Sequence, residues 1–160
     1  MSVTVPHCGS WWGKVPESLF QGTSALTLDA KGRIAVPSRH RDLLMASAGG
    51  QLTLAKHPAD CLLVLPRPAW TQLRERLLGL PMEADGWRRI FIGSAVDVDI
   101  DSGSRIHISP ELRRDAGLVR DVLLIGMGPR LELWDAARYA AHEAAVRQSP
   151  MPEAIKSFVF

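Results

Sequence analysis

One pattern occurs twice in this chain, and the repetition limits what it can fold into more than any other feature. In "LDAKGRIAVP" (28–37) Asp29 stands four residues before Arg33, with Gly32 just ahead of the Arg. In "IDSGSRIHIS" (100–109), 72 residues further on, Asp101 and Arg105 keep that separation, and Ile106 and Ile108 take the places of Ile34 and Val36. Asp29 suits the first position of a type I turn, where its carboxylate accepts from backbone N–H groups, and Gly32 suits the end, where positive φ is cheap. Arg33 has no such local duty. "RIAVP" continues as a strand with Ile34 and Val36 on one face and Arg33 and Ala35 on the other. A surface Arg paired with Asp29 is the plain structural reading.

The echo extends beyond the turns. "PSRHRDLLMASAGG" and "SPELRRDAGL" each read as a short helix opened at Pro37 or Ser38, or at Ser109-Pro110, and closed by Gly49-Gly50 or Gly117. Apolar strand pairs follow, "QLTLAKH" with "CLLVLP" and "DVLLIGMG" with "RLELWD", each joined by a loop short enough for a hairpin. A longer helix closes each half: "AWTQLRERLLGL", with Trp70, Leu73, Leu77 and Leu78 expected on one face, and "AARYAAHEAAVRQ", with Asp135 as its N-cap. A unit of this size with one-sided strands makes no adequate core alone. The expected solution is that two units complete each other as a small pseudo-twofold β-barrel with flanking helices, joined by the turn-forming, charged segment "GLPMEADGWRR".

Composition excludes several classes. At 160 residues and 46% hydrophobic the chain is long enough for one sizeable domain or two small ones. No run reaches the ~18–20 apolar residues of a membrane span, and the N-terminus lacks the pattern of a secretory signal, so a soluble cytoplasmic protein is expected. Cys8 and Cys61 have no metal-site or disulfide spacing. With a net charge of only +2, an anionic partner has to be met by a local cluster of Lys and Arg.

"LFQGTSALTLDAKGRIAVPSRHRDLL", "CLLVLPRPAWTQLRERLLGLP" and "IFIGSAVDVDIDSGSRIHISPELRRDAGL…DVLLIGMGPRLELWD" resemble the MraZ family of bacterial transcriptional regulators, over roughly residues 19–147. The doubled D-x-x-x-R spacing makes the likeness specific. It implies an α+β fold of two tandem AbrB-like swapped-hairpin units, an N-terminal extension at 1–18, a first repeat at 19–80, a linker at 81–93, a second repeat at 94–148 and a tail at 149–160. It also implies a homo-oligomeric ring, association with the nucleoid, and binding of double-stranded DNA through the D-x-x-x-R turns, at short G-rich direct repeats in a promoter of the division and cell-wall gene cluster. Two departures stand out. Gly103 lies one place earlier than Gly32 relative to its Arg, so the second turn is expected to differ in type and to aim Arg105 differently. The extension has no counterpart in the family, and an upstream start, a disordered tail and a strap using Trp11 and Trp12 all remain open for it.

Lys31, Arg33, Arg39, His40 and Arg41 fall close together, opposed by Asp29 and Asp42. Arg33 and Arg105 are the expected base-reading residues, because a guanidinium makes two hydrogen bonds to the O6 and N7 of guanine, and Lys31 is the expected phosphate contact. Arg39 and Arg41 are assigned to the same DNA-binding set, with Asp29, Gly32 and Asp101 ordering the turns. A solvated helix end accounts equally for Arg39 to Arg41. "DVDID" (97–101) imitates a calcium loop, yet its sixth and twelfth places are Ser102 and Ile108, so no metal is expected. His57, Asp60 and Cys61 contain a nucleophile and a base, but Cys61 opens an apolar run as a small buried hydrophobe would. No nucleotide loop, zinc signature or serine elbow occurs, and no enzyme activity, cofactor or small-molecule substrate is expected. The small-residue stripe at Ala137, Ala141 and Ala144 or Ala145 fits contact with its own domain or with a neighbouring subunit. The rival functional class is an oligomeric scaffold that keeps the fold without DNA contact, a reading that Asp97 and Asp99 near the second turn favour.

Overall fold

A computed structural model describes residues 19–158; the extension at 1–18, with Cys8, Trp11 and Trp12, lies outside the described residues. The first repeat comprises β1 (Phe20–Thr27), β2 (Arg33–Ala35), α1 (Ser38–Ala48), β3 (Gln51–Lys56), β4 (Leu62–Pro66) and α2 (Arg67–Leu78). After a 3₁₀ turn at Met82–Ala84 and α3 (Asp85–Phe91), the second follows the same order: β5 (Val96–Asp99), β6 (Arg105–His107), α4 (Pro110–Asp115), β7 (Asp121–Gly128), β8 (Leu131–Asp135) and α5 (Ala136–Gln148), then a short α6 (Glu153–Lys156). Gly49 and Gly117 close α1 and α4 in the left-handed conformation. Asp135 caps α5 by accepting from the Arg138 N–H at 3.1 Å.

The two repeats exchange their first strands. β1 pairs antiparallel with β7 of the second repeat, β5 pairs with β3 of the first, and β4 and β8 join the halves, giving the six-stranded order β1-β7-β8-β4-β3-β5. Swapping each strand for its counterpart in the other repeat returns the same order, which is the pseudo-twofold relation. β2 and β6 pair only with each other, in the register Arg33↔His107, Ile34↔Ile106 and Ala35↔Arg105. Among the described residues the sheet does not close, and β1 and β5 stand at its edges. An open sheet plus a separate ribbon therefore stands in place of the expected barrel, because β2 and β6, three residues each, satisfy one another rather than bridging the edges.

Alternation buries the inner residues of the ribbon, Ile34 and Ile106, in one core with Leu52, Leu54, Leu124 and Leu133. Both repeats contribute to that core, so neither owns it. A second cluster sets Trp70 against Leu73, Phe91 and Ile92. Leu78, expected on the same face, is exposed, since it lies about 80° around the helix from Trp70. The expected linker is largely helical: Arg88 pairs with Asp85 and donates to the carbonyls of Leu77, Leu80 and Pro81, tying α3 to the end of α2. The alanine stripe of α5 is exposed, and the helix meets its own domain through Tyr139 packed on Trp134.

Candidate nucleic-acid interface

Each D-x-x-x-R segment lies at one end of the β2–β6 ribbon. In the first turn the Gly32 N–H donates to the Asp29 carbonyl at 3.0 Å and the Asp29 N–H to the Arg33 carbonyl at 2.9 Å. Asp29 Oδ1 accepts from the N–H groups of Lys31 and Arg33 at 2.9 and 2.8 Å. Its other oxygen, Oδ2, accepts from Arg33 Nε at 2.9 Å. The Arg33 N–H holds the Asp29 carboxyl below the usual carboxylate range against the opposing effect of burial, with the Arg33 guanidinium and the Lys31 N–H adding to the lowering. Asp29 thus shapes the turn and also grips the side of the guanidinium. The terminal nitrogens of Arg33 make no hydrogen bond among the described residues.

The second turn repeats this backbone. The Ser104 N–H donates to the Asp101 carbonyl and the Asp101 N–H to the Arg105 carbonyl, both at 2.9 Å, while Asp101 Oδ1 accepts from the Gly103 and Arg105 N–H groups. The displaced glycine does not change the turn, because Ser104 itself takes φ 61° where Gly32 takes φ 80°. A left-handed non-glycine residue costs roughly 1–2 kcal/mol, a cost the surroundings of Ser104 meet. Arg105 does aim differently. Its Nε lies 3.6 Å from Asp101 Oδ2, close enough for an ion pair but too far for a hydrogen bond, and is buried without a hydrogen-bond partner among the described residues. The guanidinium folds over Gly103, where an added Cβ would lie 3.0 Å from Nε. Arg33 and Arg105 are 25% and 39% exposed, so the first is the more firmly held.

The remaining candidates separate by what they touch. Lys31 is exposed near the tip of the first turn. Arg39 lies across β1, donating to Ser24 Oγ at 2.8 Å and covering Gly22. Arg41 reaches the other repeat and donates to Ser104 Oγ at 2.8 Å. His40 is 2% exposed and packs edge-on against Phe20. Arg113 lies against Gly32, a role that the motifs of the sequence do not reveal; its signal is the spacing, because Arg113 follows Arg41 by the same 72 residues that separate the turns. His107, opposite Arg33 on the ribbon, is exposed and carries no comparable sequence signal.

The acidic strand does not gather into a cation site. Asp97 accepts from Thr53 Oγ1 at 2.7 Å, Asp99 faces Arg67, and Asp101 is committed to its own turn. His57, Cys61 and Glu132 bring their ligand atoms within 4.8 Å of one another. Chemistry still argues against a metal there. His57 Nδ1 accepts from the Ala59 N–H at 3.0 Å, which leaves the neutral ring's proton on Nε2, the atom facing Glu132. Glu132 in turn accepts from Arg130 and from Trp134 Nε1. Burial pushes the Cys61 thiol far up, so it provides no thiolate nucleophile.

Two repeats that exchange strands and carry matched Asp–Arg turns at either end of one ribbon define a narrow class of tandem-repeat protein. The family model described as "MraZ protein, putative antitoxin-like" matches residues 19–90 and again residues 91–156, and the chain belongs to that family. A "Transcriptional regulator MraZ" from Leptothrix cholodnii is 65% identical over 141 residues, covering 88% of this chain and 97% of that protein. Those of Methylibium petroleiphilum and Acidovorax sp. strain JS42 are 60% and 58% identical, covering 90% and 89% of this chain and 99% and 100% of theirs. The family is one of transcriptional regulators, not enzymes.

Proposed function

We propose that this chain is a sequence-specific DNA-binding transcriptional regulator that acts as a homo-oligomeric ring and reads short G-rich direct repeats in a promoter of the division and cell-wall gene cluster. The observation that carries the reading is the state of Arg33. With Nε held by Asp29, the two terminal nitrogens form the free end of a guanidinium whose direction is preset, and such an end matches the O6 and N7 acceptors of guanine. Arg105 performs the same task from a looser seat. Lys31, Arg39 and Arg41 add positive charge for phosphates, which position the protein without specifying sequence. The carboxylates so near this face do not repel DNA unopposed, since Asp29 and Asp101 are each taken up by backbone N–H groups and by their own Arg. No helix among the described residues is long and apolar enough to cross a membrane.

The test is a gel shift with the DNA upstream of the protein's own gene against a shuffled duplex of equal length. The native chain is expected to prefer the native DNA, and Arg33→Ala with Arg105→Ala to abolish the preference. Retardation of neither duplex by the native chain would favour the scaffold reading, and equal retardation of both would leave only nonspecific attraction.

A further inference from the structure

Each turn, ordered from within by its own Asp, is also held from outside by the repeat that does not contain it. The residue in the left-handed conformation, Gly32 or Ser104, is met twice from the other half. Its carbonyl accepts a backbone N–H from beyond the opposite ribbon strand, Ile108 to Gly32 and Val36 to Ser104, both at 2.8 Å. Its outer side is covered by an arginine from the opposite short helix. Arg41 donates to the Ser104 hydroxyl. Arg113 lies flat against Gly32, where an added Cβ would sit 2.8 Å from its Cζ. The two arrangements differ in their contacts: Arg41 meets a hydroxyl and its Nε lies 3.9 Å from Asp42 Oδ1, whereas Arg113 meets bare backbone. Arg113 Nε is buried and has no hydrogen-bond partner among the described residues, so this part of the guanidinium packs rather than bonds.

We propose that Arg113 and Arg41 are positioning residues that set the DNA-reading turn of the opposite repeat, Arg113 fixing Arg33 through Gly32 and Arg41 fixing Arg105 through Ser104. The assignment rests on the reading of the turns as DNA contacts. It makes the two reading heads interdependent: a change in either short helix is felt by the other repeat's turn. A flat guanidinium over a glycine is a shape that Lys does not reproduce, whereas a phosphate contact survives exchange of Arg for Lys.

The test compares Arg113→Lys, Arg113→Ala and Arg41→Ala in the full chain by amide hydrogen exchange and by DNA titration over a range of salt. Exchange is expected to quicken at Gly32 and Arg33 in both Arg113 variants, and at Ser104 and Arg105 in Arg41→Ala, with β4 and β8 unchanged. The preference for promoter DNA over shuffled DNA should fall by at least about fivefold, the lower bound for one bidentate base contact, in Arg113→Lys as in Arg113→Ala. The slope of log K against log salt should stay at the native value in Arg113→Lys. Loosening confined to the substituted repeat, or full retention by Arg113→Lys beside a slope shallower by about 0.9 in Arg113→Ala, would overturn the assignment and make Arg113 a phosphate ligand or a merely local support. Crosswise loosening in a protein that never distinguishes promoter from shuffled DNA would support the clamp and refute the DNA reading beneath it.

Discussion

Asp29 and Arg33 form the ion pair that the plain structural reading expects, and it leaves the terminal nitrogens of the guanidinium free, as the proposed DNA contact requires. Arg33→Ala is therefore expected to weaken specific DNA binding by about 1–3 kcal/mol for each guanine no longer read, with the thermal midpoint and the elution volume unchanged. Asp29→Ala should weaken binding and also lower stability, because the backbone N–H groups of Lys31 and Arg33 lose the acceptor that orders the turn. Calorimetry of the two variants separates these roles. Asp101 is held below its ordinary range chiefly by the Arg105 N–H, so the order of both turns should persist above the ordinary carboxylate pKa of 3.8 and fail as pH falls through the lower folded values. His40 makes the opposite kind of statement. Burial lowers its pKa from 6.5, so the unfolded chain binds the proton more readily, and stability should decline as pH drops through 6.5. The second repeat has Leu112 at the equivalent place, buried in the core. His40→Leu should accordingly fold and shed that part of the acid sensitivity, as thermal melts at about pH 7 and pH 5, on either side of the ordinary histidine pKa, would show; an unchanged pH dependence would mean that another group sets it.

The ribbon is the element on which both turns depend. Ile34 and Ile106 face each other at its centre, each 1% exposed, and the Arg-bearing ends extend from them. Ile106→Ala should cost about 2–5 kcal/mol through the cavity it leaves and should impair both turns at once, measurable by urea denaturation and by exchange at Arg33 and Arg105. Strand faces, helix ends and the doubled turn are legible in the sequence because alternation, capping residues and glycines are local signals. Strand partners are not, since alternation tells which side of a strand is buried and not which strand lies beside it. The same limit explains the second turn, where a glycine one place early suggests a new turn type although Ser104 absorbs the strain with help from Arg41, a partner 63 residues away. It also explains α3, whose turn-forming composition hides a helix anchored by Arg88 to carbonyls on the preceding segment.

At the scale of the molecule, exchange of β1 and β5 leaves each half only one hairpin of the sheet, β3–β4 or β7–β8, and neither half completes it alone. Residues 1–90 and 91–160 expressed separately are expected to be unfolded or to associate with a second copy, and to regain cooperative unfolding when mixed; a half that is both folded and monomeric in sedimentation would refute the shared core. Valency is the larger consequence. One or two Arg–guanine contacts, at ~1–3 kcal/mol each, do not separate a promoter from a genome of competing sites. In the proposed ring, turns from several subunits would, because each further contact forms intramolecularly at an effective concentration that reaches millimolar. The most direct measurement is a titration of the full chain against duplexes carrying one, two and three of the proposed G-rich repeats, at a fixed spacing and with half a helical turn inserted. Affinity is expected to climb by orders of magnitude with repeat number and to collapse when the spacing is shifted. Equal affinity for every duplex would contradict the account, leaving only nonspecific attraction between a weakly basic protein and a polyanion.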